Sequence, residues 1–537
     1  MPQVGQDVSG FSTQRIVYCA RRPLLPGRPG VPLSPTSSAE LSSERVGKAT
    51  RAGLSWNLVG ALVTNVLRLV TVVVLGRLLA PAEFGVVAAA LSVTVVLHAI
   101  RDIGLGPALI QRKELDEGHI ATAFAISVYV GAAIAVGLVL AAPWIGALYG
   151  IPESVDVLRA LGAVFALRGV AMTSAMISQR RMNFRAVAII DAVAYGAGAL
   201  TSIGLAIAGA GAWALVGGYL LEEVISTIAY LCLQPPVVTW RIDRTRLRDL
   251  LDFGASQSVV QLAGIFATYG DNAVVGNVLG KQALGYYTRA YDLIKLPSAV
   301  FSTVVGSVLF PAFSRLQDDR SRLALGFQRI MFANGLVLFP ASAVLIVAAP
   351  AFIEVLMGPG WGEAILPFRI LAITMMFRTS YKVGAMVASA AGAVRQVALA
   401  NVLSMVAVIG GAVVSVDHGL AGVAATTAGA LTLVYIHCTI LALRVSGLAW
   451  TGLVRAHIPG LVLGGIIAAP CWLVASHMAA ERPWLVLLAS VAIGGLLVLV
   501  GIAAAIRARV GDFDWLWSEL RRVAGRRPSR AENKDGR

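Results

Sequence analysis

The sequence predicts an all-α integral membrane protein with about 14 transmembrane helices. Three observations lead there. First, of 537 residues 57% are hydrophobic and only 14% charged, against roughly 25% charged in an ordinary soluble domain. Second, the mean hydropathy is +0.77, more apolar surface than a water-soluble core could hide. Third, the apolar residues come in runs of the length that crosses the hydrocarbon layer, about 20 residues.

The predicted spans, in order, cover 54–79, 84–110, 120–148, 155–178, 186–208, 211–233 and 253–279, then 284–311, 328–349, 364–390, 396–416, 420–443, 454–477 and 484–506. Each is bounded by charged or Gly/Pro-rich residues. The narrowest boundary is Gly209-Ala210-Gly211, which separates the fifth span from the sixth.

Basic residues test this layout, because Lys and Arg collect in cytoplasmic loops. With a cytoplasmic N-terminus, the inside segments carry 32 Lys and Arg and the outside loops carry three, Arg77, Lys281 and Arg482. Both termini are therefore expected inside. The net charge of +15 follows from this asymmetry and from anionic lipid at the inner leaflet, so it calls for no nucleic-acid partner.

Residues 1–40 are rich in Pro, Gly and Ser and contain no apolar core of a signal peptide, so a disordered tail is expected, with the motif-bearing sequence starting near Ser43. At the other end Phe513, Leu516, Trp517 and Leu520 recur at helical spacing before Arg521 and Arg522. That pattern predicts an amphipathic helix on the inner leaflet.

An internal duplication is legible. Val74-Leu75-Gly76-Arg77-Leu78-Leu79, then Phe84-Gly85, matches Val274-Val275-Gly276-Asn277-Val278-Leu279, then Leu284-Gly285. Farther along, Arg159, Arg168, Arg185 and Asp191 correspond to Arg369, Arg378, Arg395 and Asn401, and Leu148-Tyr149-Gly150 to Leu356-Met357-Gly358. Six spans per copy is an even number, so the copies enter from the same side. They are expected as two six-helix lobes related by a pseudo-two-fold axis along the membrane normal, around a central cavity. The division expected is a tail at 1–50, lobes at 51–233 and 253–445 joined by a cytoplasmic linker at 234–252, two additional helices at 446–506 and a tail at 507–537.

Charges inside spans cost roughly 2.5–3.5 kcal/mol or more each at a helix centre, so each needs a reason. Arg159 and Arg369 lie near span ends and are expected to snorkel. Arg68, Arg101, Arg168, Arg289, Lys295, Arg378 and Lys382 sit deeper and outnumber their plausible acidic partners, which points to an anionic ligand. Asp102 can neutralise Arg101, and Asp292 can neutralise Arg289 or Lys295. Glu222 and Glu223 are further acids inside the sixth span. Asp271 stands in an apolar run, with Asn272 as a hydrogen-bonding partner or, alternatively, as a proton or cation site. His98 and His437 read as packing residues. Cys19, Cys232, Cys438 and Cys471 lack metal-ligand or redox spacing. No nucleophile–base set, phosphate-binding loop or metal spacing is present, so no enzyme activity, cofactor or metal is expected.

Several motifs then form a set. Arg77-Leu78-Leu79-Ala80-Pro81-Ala82-Glu83-Phe84-Gly85 and Arg101-Asp102-Ile103-Gly104-Leu105-Gly106-Pro107-Ala108-Leu109-Ile110-Gln111 resemble the polysaccharide flippases, the Wzx-type branch of the MOP exporter superfamily. Asp271-Asn272-Ala273-Val274-Val275-Gly276, Leu284-Gly285-Tyr286-Tyr287 and Leu309-Phe310-Pro311-Ala312-Phe313-Ser314-Arg315-Leu316-Gln317 are similar to its colanic-acid and teichuronic-acid exporter subgroup. The resemblance implies alternating access in the bacterial cytoplasmic membrane and export of an undecaprenyl-pyrophosphate-linked oligosaccharide, alongside polymerase or assembly partners. It also implies coupling to protons or sodium ions, for which Asp102, Asp271 and Asp292 are the available carboxylates. Three other readings compete. A lipid II flippase has a similar lumen. A MATE-type multidrug or cation antiporter would want an acidic cavity. A membrane glycan polymerase or ligase would need a large outer loop that this chain lacks.

Overall fold

The computed structural model describes residues 43–101, 106, 109–110, 115–251, 255–315, 319–478 and 482–507. The expected disordered N-terminal tail up to residue 42 and the expected amphipathic helix at 513–522 lie outside the described residues. Within them the chain is helical apart from short connections and the irregular stretch 235–243. In order the helices are α1 (Ser43–Leu78), α2 (Pro81–Arg101), α3 (Glu117–Leu148), α4 (Ser154–Arg180), α5 (Phe184–Ile207) and α6 (Ala212–Leu233). A short α7 (Arg244–Leu251) follows in the linker. Then come α8 (Ala255–Tyr269), α9 (Asp271–Arg315), α10 (Arg320–Val347), α11 (Ala349–Met357), α12 (Ile365–Ile373) and α13 (Met375–Ala390). The last four are α14 (Val394–Ser415), α15 (Gly419–Ser446), α16 (Trp450–Met478) and α17 (Pro483–Arg507).

Each of the fourteen predicted spans coincides with helix, and ten helical stretches among the described residues are individually long and apolar enough to cross a membrane. The differences lie where backbone geometry interrupts a span. The seventh is broken after Tyr269, while Gly280, at φ 83° and ψ 177°, bends α9 at the predicted boundary between the seventh and the eighth. Glycine tolerates that left-handed geometry without a Cβ clash. The tenth is split at Thr374 into α12 and α13.

Large apolar side chains point outward: Leu200 is 73% and Val414 78% exposed. Such faces suit lipid rather than water, and the chain is a multi-pass membrane protein.

The chain forms two compact units. The first comprises the chain up to Leu69, Thr94–Ala142 and Asp156–Ser258; the second comprises Val70–Val93, Pro143–Val155 and Val259 onward. In the first, α5 and α6 form a tight hairpin. A Cβ on Gly198 would meet the Gly218 carbonyl oxygen at 2.6 Å, and one on Gly218 the Gly198 oxygen at 2.5 Å, so only glycine lets these backbones touch.

In the second unit, Phe313, Phe327, Met331, Val383, Leu443 and Ile467 form one buried core from α9, α10, α13, α15 and α16. The two helices beyond the duplication attach here. α16 closes on α10, where a Cβ on Gly460 would lie 2.2 Å from the Gly335 oxygen.

Candidate functional site

Two charged clusters are built inside the helices, one in each unit. In the first unit a cavity of about 410 Å³ is lined by residues of α1, α4, α5 and α6, among them Arg68, Arg168, Asp191, Glu222 and Glu223. That size falls in the range of small-molecule sites, roughly 300–1,000 Å³.

α4 carries Arg168 and α6 carries Glu223, and the two meet in a forked pair: Arg168 Nε donates to Glu223 Oε2 at 2.8 Å and Nη2 to Oε1. Planar guanidinium against carboxylate satisfies both oxygens at once. Tyr230 Oη donates to Asp191 at 2.9 Å, and the Arg68 guanidinium sits 5.5 Å from the Tyr195 ring centroid.

Three carboxylates and two arginines thus line this cavity, and the positive surplus expected from the sequence is not met there. The reason is geometric. Glu223 lies 55 residues from Arg168, and spacing alone does not reveal that α6 turns it onto α4.

The second cluster is cationic and aromatic. On α9, Arg289 Nη2 and Lys295 Nζ both reach Asp292, at 2.9 Å and 3.3 Å. The i, i+3 spacing read from the sequence therefore gives one carboxylate shared by two cations. Lys295 Nζ also sits over the rings of Tyr269 and Tyr291, at 4.5 Å and 4.2 Å from their centroids. From α13, Arg378 stacks on one of these same rings, with its guanidinium carbon 4.6 Å from the Tyr291 centroid. Tyr291 is therefore shared by a lysine and an arginine from different helices. Cation–π contact holds such charges in place without neutralising them. Lys382, one turn beyond Arg378, is exposed.

At the duplication's offset of 210, Glu223 corresponds to Leu433, so the carboxylate that locks Arg168 has no counterpart for Arg378.

Asp271, at the start of α9, is 1% exposed. Its Oδ2 accepts from Tyr287 Oη at 2.6 Å and from Thr427 Oγ1 at 3.2 Å, while Oδ1 is buried with no hydrogen-bond partner among the described residues. The expected partner Asn272 turns elsewhere, donating to Ser92 at 2.7 Å.

Arg101, the last residue of α2, is buried, and Asp102 lies outside the described residues. His98 packs its ring on Phe165 at 4.6 Å. Arg159 pairs with Asp156 at the start of α4. Arg369 Nε donates to the Ile346 carbonyl at 3.1 Å. That carbonyl would ordinarily receive the amide four residues on, and Pro350 has none.

Sequence reasoning missed Tyr269, Tyr291 and Thr427. The tyrosines were visible beside Gly270-Asp271 and Asp292, but nothing in their spacing shows that they stack on cations.

Helices so arranged, with charge held inside them, define a multi-pass membrane transporter. The fold is shared by a lipid II flippase, MurJ, in an inward closed conformation, at a TM-score of 0.69 with 12% identity over 84% of this chain and 99% of that one. It is shared too by an inward-facing MATE family multidrug transporter of the MOP superfamily, at 0.59 with 17% identity over 72% and 95%. A family model described as polysaccharide biosynthesis protein matches residues 74–366, more than half of the sequence, and the chain belongs to that family. Among curated relatives, the lipopolysaccharide biosynthesis protein WzxC of Escherichia coli (strain K12) is 25% identical over 62% of this chain and 68% of its own length. The succinoglycan biosynthesis transport protein ExoT of Rhizobium meliloti (strain 1021) is 27% identical over 64% and 68%. The teichuronic acid biosynthesis protein TuaB of Bacillus subtilis (strain 168) is 25% identical over 62% and 69%.

Proposed function

We propose that this chain carries a polyprenyl-pyrophosphate-linked oligosaccharide across the bacterial cytoplasmic membrane by alternating access, with both termini cytoplasmic. The two copies read from the sequence would act as lobes that rock about a central path. The observation that carries the reading is the second unit's charge balance. Arg289, Lys295 and Arg378 converge on Tyr291 and Asp292, three cations around one shared carboxylate. Two negative charges of a pyrophosphate fit that surplus, and the Arg378 fork, stacked and not paired with acid, suits two phosphate oxygens. Lys382, on the same helix as Arg378, would add long-range attraction.

Taken by itself, the first unit's cavity has a lining that sugar hydroxyls could use. Its carboxylates, Asn65, Thr64 and Ser226 offer acceptors and donors for hydroxyl groups, with Arg68 and Arg168 at its wall. The balance there is not that of a pyrophosphate site. Coupling to a proton or sodium gradient would fall to Asp271, the most deeply buried of these carboxylates. Asp102 and Asp292 are secondary candidates, since Asp292 is already held by two cations.

The test is polymer export in cells that lack this gene and carry it on a plasmid. Arg378→Glu should abolish export at normal membrane abundance. Undiminished polymer would refute the reading. Rescue of a lipid II flippase deletion instead of polymer export would replace the cargo proposed here.

A further inference from the structure

The duplication is folded back on itself inside the second unit. A Cβ built on Gly85 would lie 1.7 Å from the Lys281 carbonyl oxygen, and one on Gly285 would lie 1.8 Å from the Pro81 carbonyl oxygen. Adding 200 to Pro81 and Gly85 gives Lys281 and Gly285, so the two contacts are the same contact seen from each copy. The next turn repeats the pattern. A Cβ on Gly76 would meet the Met357 side chain at 2.8 Å, and one on Gly276 would meet the Tyr149 oxygen at 3.1 Å. Tyr149 and Met357 are themselves equivalents in the duplication.

Hydrogen bonds follow the same exchange. Asn277 Nδ2 donates to the Leu148 carbonyl, the last of α3, at 3.0 Å. Its equivalent Arg77 donates through Nη2 to the Val355 carbonyl in the last turn of α11. Helix-end carbonyls lack intrahelical partners, so each copy caps the other's helix end. The mutual arrangement is that of a two-fold interface, in which i touches j and j touches i. At its rim Lys281 pairs with Glu153, both well exposed.

Resting on the transport reading above, we propose that this reciprocal contact is the extracytoplasmic gate, and that Gly85 and Gly285 are the positioning residues that let it close. Arg77 and Lys281 belong to the loops that the charge pattern puts outside. Cargo leaving between the copies on that side must part these segments. Glycine is required because the closed contact is backbone on backbone, and any Cβ holds the two strands of the gate apart. The capping bonds and the rim ion pair are exposed, so water can replace them when the contact opens. Trp361 adds a contact from one copy only. Its Nε1 donates to the Gly76 carbonyl at 3.0 Å and its ring meets Phe84 edge-on at 5.4 Å, which makes it the bolt of the closed state.

The test places cysteines at the rim, Glu153→Cys with Lys281→Cys, in full-length protein whose four native cysteines are replaced by alanine. A short bis-methanethiosulfonate bridge then ties the copies together in intact cells. Bridging should halt the appearance of new surface polymer, and dithiothreitol should restore it. Undiminished export by quantitatively bridged protein would overturn the gate while leaving the transport reading standing. If deletion of the gene does not affect polymer export, the transport reading falls and the gate with it. A second measurement needs no bridge. Gly285→Ala should raise the rate at which a membrane-impermeant maleimide labels Lys281→Cys, because the rim is held open; an unchanged rate also overturns the gate.

Discussion

Arg168 and Glu223 hold each other by a forked pair between α4 and α6, with Glu223 buried and Arg168 about one-third exposed to the cavity beside it. A half-buried pair of this kind is a strut as long as both partners remain. Glu223→Ala removes the forked partner of the guanidinium and should cost about 1–3 kcal/mol, measured as a lower melting temperature in detergent. Arg168→Leu together with Glu223→Leu should recover most of that loss, because two apolar groups replace a matched pair. Export separates the roles. If Arg168 also touches cargo, the double variant is stable and inactive; if it is only a strut, the double variant exports normally.

Gly198 and Gly218 face each other across the α5–α6 hairpin, each Cβ position lying within 2.6 Å of the other's carbonyl oxygen. Gly218→Ala would additionally push into Ser202 Oγ, at 1.8 Å. Overpacking here should destabilise the first unit by about 1–3 kcal/mol. Gly204→Ala, with nothing within 4 Å of the added atom, should be neutral or slightly stabilising. Melting temperatures of the two variants in the same detergent check the contrast.

The segment that carries α7 is tied to the start of α3 by Asp116, which accepts from the His119 amide at 2.7 Å and from Arg246 Nη2 at 3.1 Å. These partners, the His119 amide first, hold its carboxyl below the ordinary aspartate value of 3.8. A depressed value means the contact is fully present above the unfolded value and is lost as pH falls through the folded one. Trp240 reports on it, because it lies in the linker against Tyr129 and Phe124. Its fluorescence should stay constant from neutral to mildly acidic pH and change only below 3.8. Asp116→Asn should remove that acid transition.

Apolar run length and the placement of Lys and Arg made the fold legible, because a bilayer leaves the backbone one economical solution per span. Where the sequence reading fell short, a bend or a partner far along the chain decided the matter. Tyr269 ends a helix inside a span that the hydropathy runs straight through. Glu223 meets Arg168, and Thr427 meets Asp271, across 55 and 156 positions. Internal repetition was the better guide. Gly85 and Gly285 stood out as equivalents in the sequence, and they prove to be in mutual contact, which repetition alone does not imply. What the charge count could not show is pairing: Glu223 meets Arg168 in the first copy, and Leu433 stands at the corresponding place in the second.

Asp271 offers the sharpest test of ion coupling. With Oδ2 held by Tyr287 and Thr427 and Oδ1 buried without a partner among the described residues, its ionised form would leave a charge half-satisfied in apolar surroundings. A bound proton or cation would relieve that charge, which is the ground for the coupling role proposed for Asp271. Asp271→Asn keeps an oxygen for Tyr287 and removes the ionisable group, while burying amide N–H donors at the place of Oδ1, so the folded protein should lose about 1–3 kcal/mol. Export should become insensitive to the coupling gradient and fall to a slow residual rate. Asp271→Leu strands Tyr287 and Thr427 and should cost about 1–3 kcal/mol in addition to export. Reconstituted vesicles with an imposed proton or sodium gradient distinguish the outcomes. If the Asn variant responds to the gradient as the native protein does, Asp271 is a packing residue and the coupling lies elsewhere in the chain.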